Sequence, residues 1–212
     1  MPAAHPVAST NDAALVPLRV GASGQVERAT HVRSTVVAAA LLALKRRGHF
    51  EPYLRNLPPE LHEPVLRCVP GTWLELRVAV GHYEAVDRLG LPVDEQVQIG
   101  RAVSSRVNEG LLGTAVRIAK EAGVTPWLGL AYVPKGWVRL FQGGAPAVYK
   151  LGPKEARYEA HGIPDLARIP YYRNAARGMI LASGELFCER IYVRDITTVT
   201  SETVIRFRLM WA

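Results

Sequence analysis

The chain has 212 residues, of which 49% are hydrophobic and 21% are charged, an ordinary composition for a globular domain. This length suits one domain with its own core and is short for two. The longest apolar run, residues 36–44, is much shorter than the roughly 20 residues of a membrane-spanning helix. The first residues lack the basic-then-apolar layout of a signal peptide. We therefore expect a cytoplasmic protein without a membrane span.

The net charge of +7 permits nonspecific attraction to nucleic acid. The basic residues are nevertheless spread over residues 19–208. Their only tight cluster, residues 45–47, falls where a helix is expected to end and where the helix dipole stabilises cations. The two cysteines, Cys68 and Cys188, are too few for a disulfide framework, although the sequence allows a single disulfide between them. These features favour a reducing compartment and give nucleic-acid binding little support.

The first third of the chain predicts a leader followed by helices. Residues 1–29 are rich in Ala, Pro, Ser and Gly, which indicates a flexible leader with one short ordered stretch at residues 16–20. Thr30 suits the N-cap of a buried helix that runs to Gly48. Repeated prolines after residue 50 then predict short helices separated by turns.

Two longer helices are expected next. The first has Thr72 as its N-cap and ends at Gly90, and its apolar residues recur at helical spacing: Leu76, Val80, Tyr83 and Val86. The second covers residues 92–123, with an interruption near Gly110 or Gly113. Its apolar stripe consists of Val93, Val97, Gly100, Val107, Leu111 and Ile118.

The last part of the chain predicts strands around one helix. After a broken helix between Trp127 and Phe141, residues 145–151 and 155–162 alternate like two half-buried strands. A helix follows Pro170, and residues 188–196 and 203–211 form a second hairpin. This order predicts one α+β domain over residues 30–212, with N-terminal helices packed on a C-terminal antiparallel sheet.

The sequence contains no recognisable catalytic, metal-binding or cofactor-binding motif. The six histidines are scattered, and none stands four residues from another as paired metal ligands on a helix do. His82 has a helical placement that allows a haem-ligand hypothesis, but the sequence around it fits no haem or zinc pattern. No serine lies in a nucleophile elbow, and Cys188 has no histidine near it in sequence. We therefore predict no catalytic residue, no metal and no cofactor, and a protein that is not an enzyme.

Aromatic residues and arginines concentrate between residues 127 and 177. Each could be core or surface, but together they are typical of an apolar pocket with a few polar groups, in which Arg173 orients the polar end of a ligand. The predicted ligand-binding residues are Trp127, Trp137, Phe141, Tyr149, Tyr158, Tyr171, Tyr172, Arg173 and Arg177.

Several motifs resemble a paralogous family of uncharacterised proteins found chiefly in myxobacteria. They are residues 57–90, residues 99–113, the RGMILASG of residues 177–184 and the final FRLMW, so that the resemblance spans about Leu54 to Trp211. That family is distantly similar to four-vinyl-reductase domains, haem-nitric-oxide sensor domains and Golgi transport-tethering subunits. The resemblance implies helices on an antiparallel sheet, frequent dimerisation through helices, and in some members an enclosed apolar ligand.

Two departures limit what the resemblance implies. The loop of residues 195–204 has no cysteine where family members commonly carry one, and the tyrosine–serine–arginine motif of the haem sensors is absent. Metal or redox roles are therefore not carried over.

Three hypotheses for the function follow. The first is a non-catalytic sensory or adaptor module that binds a small apolar or amphipathic ligand. The second is a protein-interaction or scaffold module that forms a homodimer through its N-terminal helices. The third is nucleic-acid binding, which requires a contiguous basic face in the folded chain.

Overall fold

The computed structural model describes residues 13–111, 125–197 and 203–212. Within these ranges the chain forms nine helices and two antiparallel sheets, which confirms the predicted α+β class. The helices are α1 (Ser34–Arg46), α2 (Phe50–Asn56), α3 (Pro59–Leu66), α4 (Leu76–Asp87), α5 (Val93–Leu111), α6 (Pro126–Ala131), α7 (Val133–Leu140), α8 (Pro164–Ala167) and α9 (Pro170–Gly184). The strands are β1 (Ala13–Val16), β2 (His31–Arg33), β3 (Trp73–Glu75), β4 (Phe141–Gln142), β5 (Ala145–Gly152), β6 (Glu155–His161), β7 (Ile191–Asp195) and β8 (Ile205–Trp211).

The larger sheet has five strands in the order β1-β5-β6-β8-β7. Both predicted hairpins are confirmed, since β5 pairs with β6 and β7 pairs with β8, and β6 joins the two hairpins by pairing with β8. Alternate residues of β8 are buried, and Arg208 between them is exposed. This alternation places one face of the strand in the core, as its sequence predicts.

The smaller sheet has three short strands in the order β3-β2-β4 and lies where the sequence predicted the starts of helices. Val32 of β2 is buried and pairs with Leu74 on one side and with Phe141 on the other. The predicted N-caps Thr30 and Thr72 are therefore wrong, because α1 and α4 begin only after β2 and β3 have ended.

The predicted leader contains a strand. Ala13–Val16 forms β1, which pairs with β5 and buries Val16, so the larger sheet includes residues that precede residue 30. The ordered stretch that the sequence suggested at residues 16–20 overlaps this strand only at Val16. Residues 1–12 lie outside the described ranges, and the division into a leader and a domain stays a prediction.

The predicted helices after residue 90 have three outcomes. The broken helix is confirmed as α6 and α7, and the helix after Pro170 is confirmed as α9. The long helix is confirmed as far as Leu111, and the rest of it lies outside the described residues. Val93, expected in its buried stripe, is exposed. Across the described ranges, no helix is both long and apolar enough to cross a membrane.

Helices α5 and α9 run in the same direction with their backbones in direct contact. A Cβ atom built on Gly100 of α5 would lie 2.0 Å from the carbonyl oxygen of Ala175, and one built on Gly178 of α9 would lie 2.1 Å from that of Val97. Atoms cannot approach this closely, so each helix needs a residue without a side chain at its crossing point. The two glycines therefore set the distance between the helices.

Polar side chains secure the same contact at both ends. Near its start, the Asn174 amide donates a hydrogen bond to the Gln96 side chain at 2.8 Å. Near its end, the Arg101 guanidinium donates two hydrogen bonds to the Glu185 carboxylate, at 2.6 and 2.8 Å. A bidentate pair of this kind adds stability and also restricts the relative orientation of the two side chains. It therefore fixes the register of α9 along α5.

We expect Gly178→Ala to destabilise the fold by about 2 kcal/mol or more, because the added methyl group meets the backbone of α5 and the helices must separate. Gly136→Ala in α7 is the matched control, since a Cβ there meets nothing within 4 Å. Higher helix propensity should make that change neutral or stabilising by up to about 1 kcal/mol. Urea denaturation measures both free energies of unfolding, and equal effects of the two changes would contradict the packing argument.

Candidate functional site

The predicted aromatic ligand residues lie in several places. Trp137 stacks on Phe141 beside the small sheet, with ring centroids 4.5 Å apart. Trp127 packs edge-on against Trp211 at 4.7 Å. In the larger sheet, Tyr149 lies under the Arg157 guanidinium and Tyr158 stacks on Phe207. Tyr171 and Tyr172 lie together on α9 and face one cluster, and Tyr158 is close enough to Tyr172 to raise its pKa further.

The two predicted arginines share α9 but have different surroundings. Arg173 donates a hydrogen bond to the carbonyl oxygen of Ala167 and forms an ion pair with Asp195 at 3.3 Å. Its guanidinium therefore ties the start of α9 to β7 and α8. The Nε atom of Arg177 is buried and has no hydrogen-bond partner among the residues described. Whether any of the nine predicted residues binds a ligand stays a prediction.

A buried group of aromatic residues joins the N-terminal helices to α9. This tyrosine–histidine cluster consists of Tyr53 from α2, His82 and Tyr83 from α4, and Tyr171 and Tyr172 from α9. The ring centroids of His82 lie 5.4 Å from Tyr53 and 5.0 Å from Tyr83, and that of Tyr83 lies 4.9 Å from Tyr172. These edge-on contacts are the favoured geometry for aromatic pairs.

The polar atoms of the cluster are only partly satisfied. The Tyr53 hydroxyl and Nδ1 of His82 are 2.8 Å apart and share a hydrogen bond. Within the described part of the chain, His82 Nε2 and the Tyr171 hydroxyl have no partner, although both residues are almost completely buried. A buried polar atom without a hydrogen bond costs roughly 1–3 kcal/mol, so a pair of them needs an explanation.

Burial also keeps the cluster uncharged. Desolvation lowers the pKa of His82 from 6.5 to about 3. Desolvation likewise raises the pKa of Tyr53 and Tyr171 well above 10, and neighbouring tyrosines raise that of Tyr171 further. At neutral pH the imidazole and the phenols are therefore all neutral, and the cluster can act only through hydrogen bonds and its apolar surface.

A groove of about 400 Å³ lies between α4 and the start of α9. The Asp87 carboxylate in its wall accepts a hydrogen bond from the backbone N–H of Tyr171 at 2.8 Å, which links the groove to the cluster behind it. Apolar and charged residues both line the groove: Val80, Glu84, Asp87, Arg88, Asp165, Arg168, Ile169 and Pro170. An apolar floor with a charged rim suits an amphipathic molecule.

Sequence reasoning missed Tyr53, His82 and Tyr83 as members of a site. It placed Tyr83 on the core face of its helix, and it interpreted His82 as an ordinary core or surface histidine with a haem ligand as the alternative. The one available signal was the presence of His82 beside that apolar face, which predicts burial but gives no partner. Tyr53 approaches His82 only through the packing of α2 on α4, which the sequence pattern does not reveal.

Other chemistry is sparse in the described ranges. They contain no group of three or more histidines, cysteines or carboxylates that could hold a metal ion. Cys68 and Cys188 are free thiols, and burial raises the pKa of both. Since the thiolate is the reactive form, neither cysteine is activated as a nucleophile.

Comparisons with known proteins find the same fold among solved structures. A point mutant of an H-NOX protein from K. algicida in the Fe(II) unliganded state has a TM-score of 0.60 at 13% identity, over 85% of this chain and 96% of that one. An oxygen-binding H-NOX domain related to soluble guanylate cyclases has a TM-score of 0.55 at 13% identity, over 84% of this chain and 94% of that one. A structure described under haem redox potential and porphyrin distortion has the same TM-score and identity, over 84% and 99% of the two chains.

No family model and no curated protein sequence matches the chain. At this level of identity the structural likeness establishes a shared fold. It agrees with the fold that the resemblance to haem-nitric-oxide sensor domains implied. The relationship to the myxobacterial family stays a prediction.

We expect the stability of the protein to fall as the pH drops from about 6.5 towards 3. In this range the unfolded chain binds a proton at His82 that the folded chain excludes, because burial lowers the pKa of His82 to about 3. His82→Gln should remove up to about 1.4 kcal/mol per pH unit from this dependence. Urea denaturation between pH 4 and 8 measures it, and the same slope in His82→Gln and in the unmodified protein would contradict the expectation.

Proposed function

We propose that the protein is a non-catalytic sensory or adaptor module that binds a small apolar or amphipathic ligand between α4 and the start of α9. The observation that carries this proposal is the groove of about 400 Å³ itself, which combines apolar residues with charged residues of both signs. A ligand in this groove would place its polar group at the charged rim. Its apolar part would lie against Val80, Ile169 and Pro170.

The charged rim of the groove supports an amphipathic ligand. Arg88 pairs with Glu84 at 3.4 Å and Arg168 with Asp165 at 3.9 Å, and all four side chains are largely exposed. Exposed pairs contribute little to stability, so a polar head group can replace one partner at low cost. The rim therefore offers both signs of charge to a ligand that buries its apolar end.

The non-catalytic part of the proposal has two supports. Neither cysteine is activated, and the described histidines other than His82 have ring nitrogens bonded to local partners, such as His49 to Glu95 and His161 to Glu159. The second support is the shared fold, since two of the H-NOX structures are named for an oxygen or a nitric oxide complex.

A titration with octanoate followed by methyl NMR tests the groove. We expect saturable shifts at the methyl groups of Val80 and Ile169, and about tenfold or more weaker binding in Val80→Trp, which fills the floor. Val138→Trp on α7 is the control, because Val138 is exposed and away from the groove lining. Absence of saturable shifts, together with native mass spectrometry that finds no co-purified molecule, would refute the proposal.

A second candidate function is homodimerisation. Three large apolar residues on α6 and α7 or between them are exposed: Leu128 by 46%, Tyr132 by 53% and Val138 by 65%. Apolar residues grouped in this way often mark a protein contact. The apolar helix α1 is already buried against α5, so we place the contact on α6 and α7 instead of on the N-terminal helices.

Light scattering at micromolar concentrations tests this candidate. A dimer should form in the unmodified protein, and Leu128→Glu with Val138→Glu should convert it to a monomer, because two charges cannot be buried unpaired at the contact. Tyr192→Ser removes an exposed aromatic residue elsewhere and should leave the dimer intact. A monomer at all concentrations in the unmodified protein would rule the candidate out.

Nucleic-acid binding gains little from the structure. Arginines of several helices and strands are paired with carboxylates, including Arg77 with Glu75, Arg101 with Glu185 and Arg206 with Glu159. Pairing lowers the potential that a phosphate backbone would meet. We keep this hypothesis in third place.

A further inference from the structure

We infer that this chain uses the H-NOX fold without a porphyrin, and that its tyrosine–histidine cluster fills and connects the interior in place of a prosthetic group. The inference goes beyond the proposed function and does not depend on the groove ligand. It concerns a disagreement between the shared fold, whose solved structures include haem proteins, and the residues of this chain.

The haem iron of haem proteins is held by an axial ligand, which is a histidine, cysteine, methionine or tyrosine side chain. Among the described histidines other than His82, ring nitrogens are held by nearby partners: His31 by Thr30, His49 by Glu95, His62 by the carbonyl of Leu57 and His161 by Glu159. Of the residues outside the described ranges, 112–124 and 198–202 contain no histidine, cysteine, methionine or tyrosine, and residues 1–12 contain Met1 and His5. His82 is the fully buried histidine of the described residues and is thus the candidate histidine ligand.

Aromatic rings occupy the space around His82. Its Nδ1 shares a hydrogen bond with the Tyr53 hydroxyl, and the ring centroids of Tyr53 and Tyr83 lie 5.4 and 5.0 Å from that of the imidazole. Tyr53, His82 and Tyr171 are each among the most completely buried side chains of the described core. A planar macrocycle bound at Nε2 would have to occupy volume that these rings already fill.

The surface depressions of the described ranges are the other places where a porphyrin could bind. Two depressions in the described ranges, of about 400 and 340 Å³, are both open at the surface, and neither includes His82 in its lining. Their walls carry charged residues such as Glu84, Arg88 and Arg67. A porphyrin needs an enclosed, mostly apolar slot, and these grooves do not provide one.

The cluster then has a structural task. Tyr83 of α4 contacts both Tyr171 and Tyr172 of α9, with ring centroids 6.2 and 4.9 Å apart. These contacts connect the N-terminal helices to the helix that lies along α5. The chain supplies this connection from its own side chains, so its folding needs no added group.

Hemin titration of the full chain tests the inference by absorption spectroscopy and thermal unfolding. We expect no saturable Soret band that depends on His82, so the unmodified protein and His82→Gln should give the same spectra, and hemin should not raise the Tm. Weak hemin adsorption that survives His82→Gln would support a closed interior. A one-to-one Soret band that is lost in His82→Gln would overturn the inference, as would a magnetic circular dichroism spectrum of histidine-ligated haem in the unmodified protein.

A space-making variant tests the same point from the opposite direction. Tyr171→Ala should lower the Tm and open a dry cavity lined by the remaining rings, which p-cresol, the missing side chain as a free molecule, should fill. We expect p-cresol to raise the Tm of Tyr171→Ala and to leave that of the unmodified protein unchanged. Equal shifts in both proteins would contradict a filled interior. If Tyr171→Ala does not fold, Tyr172→Ala serves in its place.

Discussion

The close contact between α5 and α9 is the constraint on which the rest of the structure depends. Gly100 and Gly178 let the two backbones touch, and the Arg101–Glu185 pair fixes how far α9 slides along α5. Because α9 also carries Tyr171 and Tyr172, its position decides where these rings meet α4. A change in the helix spacing would therefore alter the packing of the cluster as well as the width of the groove beside it.

The cluster combines a large apolar gain with a polar cost. Each buried aromatic ring contributes substantially to stability through the water it displaces. The unpartnered nitrogen of His82 and the hydroxyl of Tyr171 work against that gain. Phenylalanine at residue 171 would avoid part of the cost without changing the shape of the core. The Tyr171 hydroxyl is therefore a cost that close packing alone does not require.

The sequence pattern predicted those elements that carry their own periodicity. The alternation in β8 and the apolar face of α4 are each readable because many residues repeat within one element. Strands β2 and β3 were missed because three residues show no period and their pairing partners lie far along the chain. The predicted ligand-binding residues lie in several places for a similar reason, because their tertiary contacts are not visible in the sequence. Trp127 packs on Trp211 at the larger sheet, whereas Trp137 stacks on Phe141 beside the smaller sheet. Tyr53 reaches His82 only through tertiary packing.

The hydrogen bond from the Tyr171 backbone to Asp87 has a consequence for how the chain folds. Helix α9 has no side-chain cap of its own, and the acceptor for its first turn comes from a residue 84 positions earlier in the chain. The segment Pro170–Gly184 therefore gains its full helical stability only after α4 has docked. Forming this contact requires the chain to close a long loop, and the entropy cost of closure comes before the contact adds stability. We therefore expect it to form in a late, slow stage of folding, after the local hairpins.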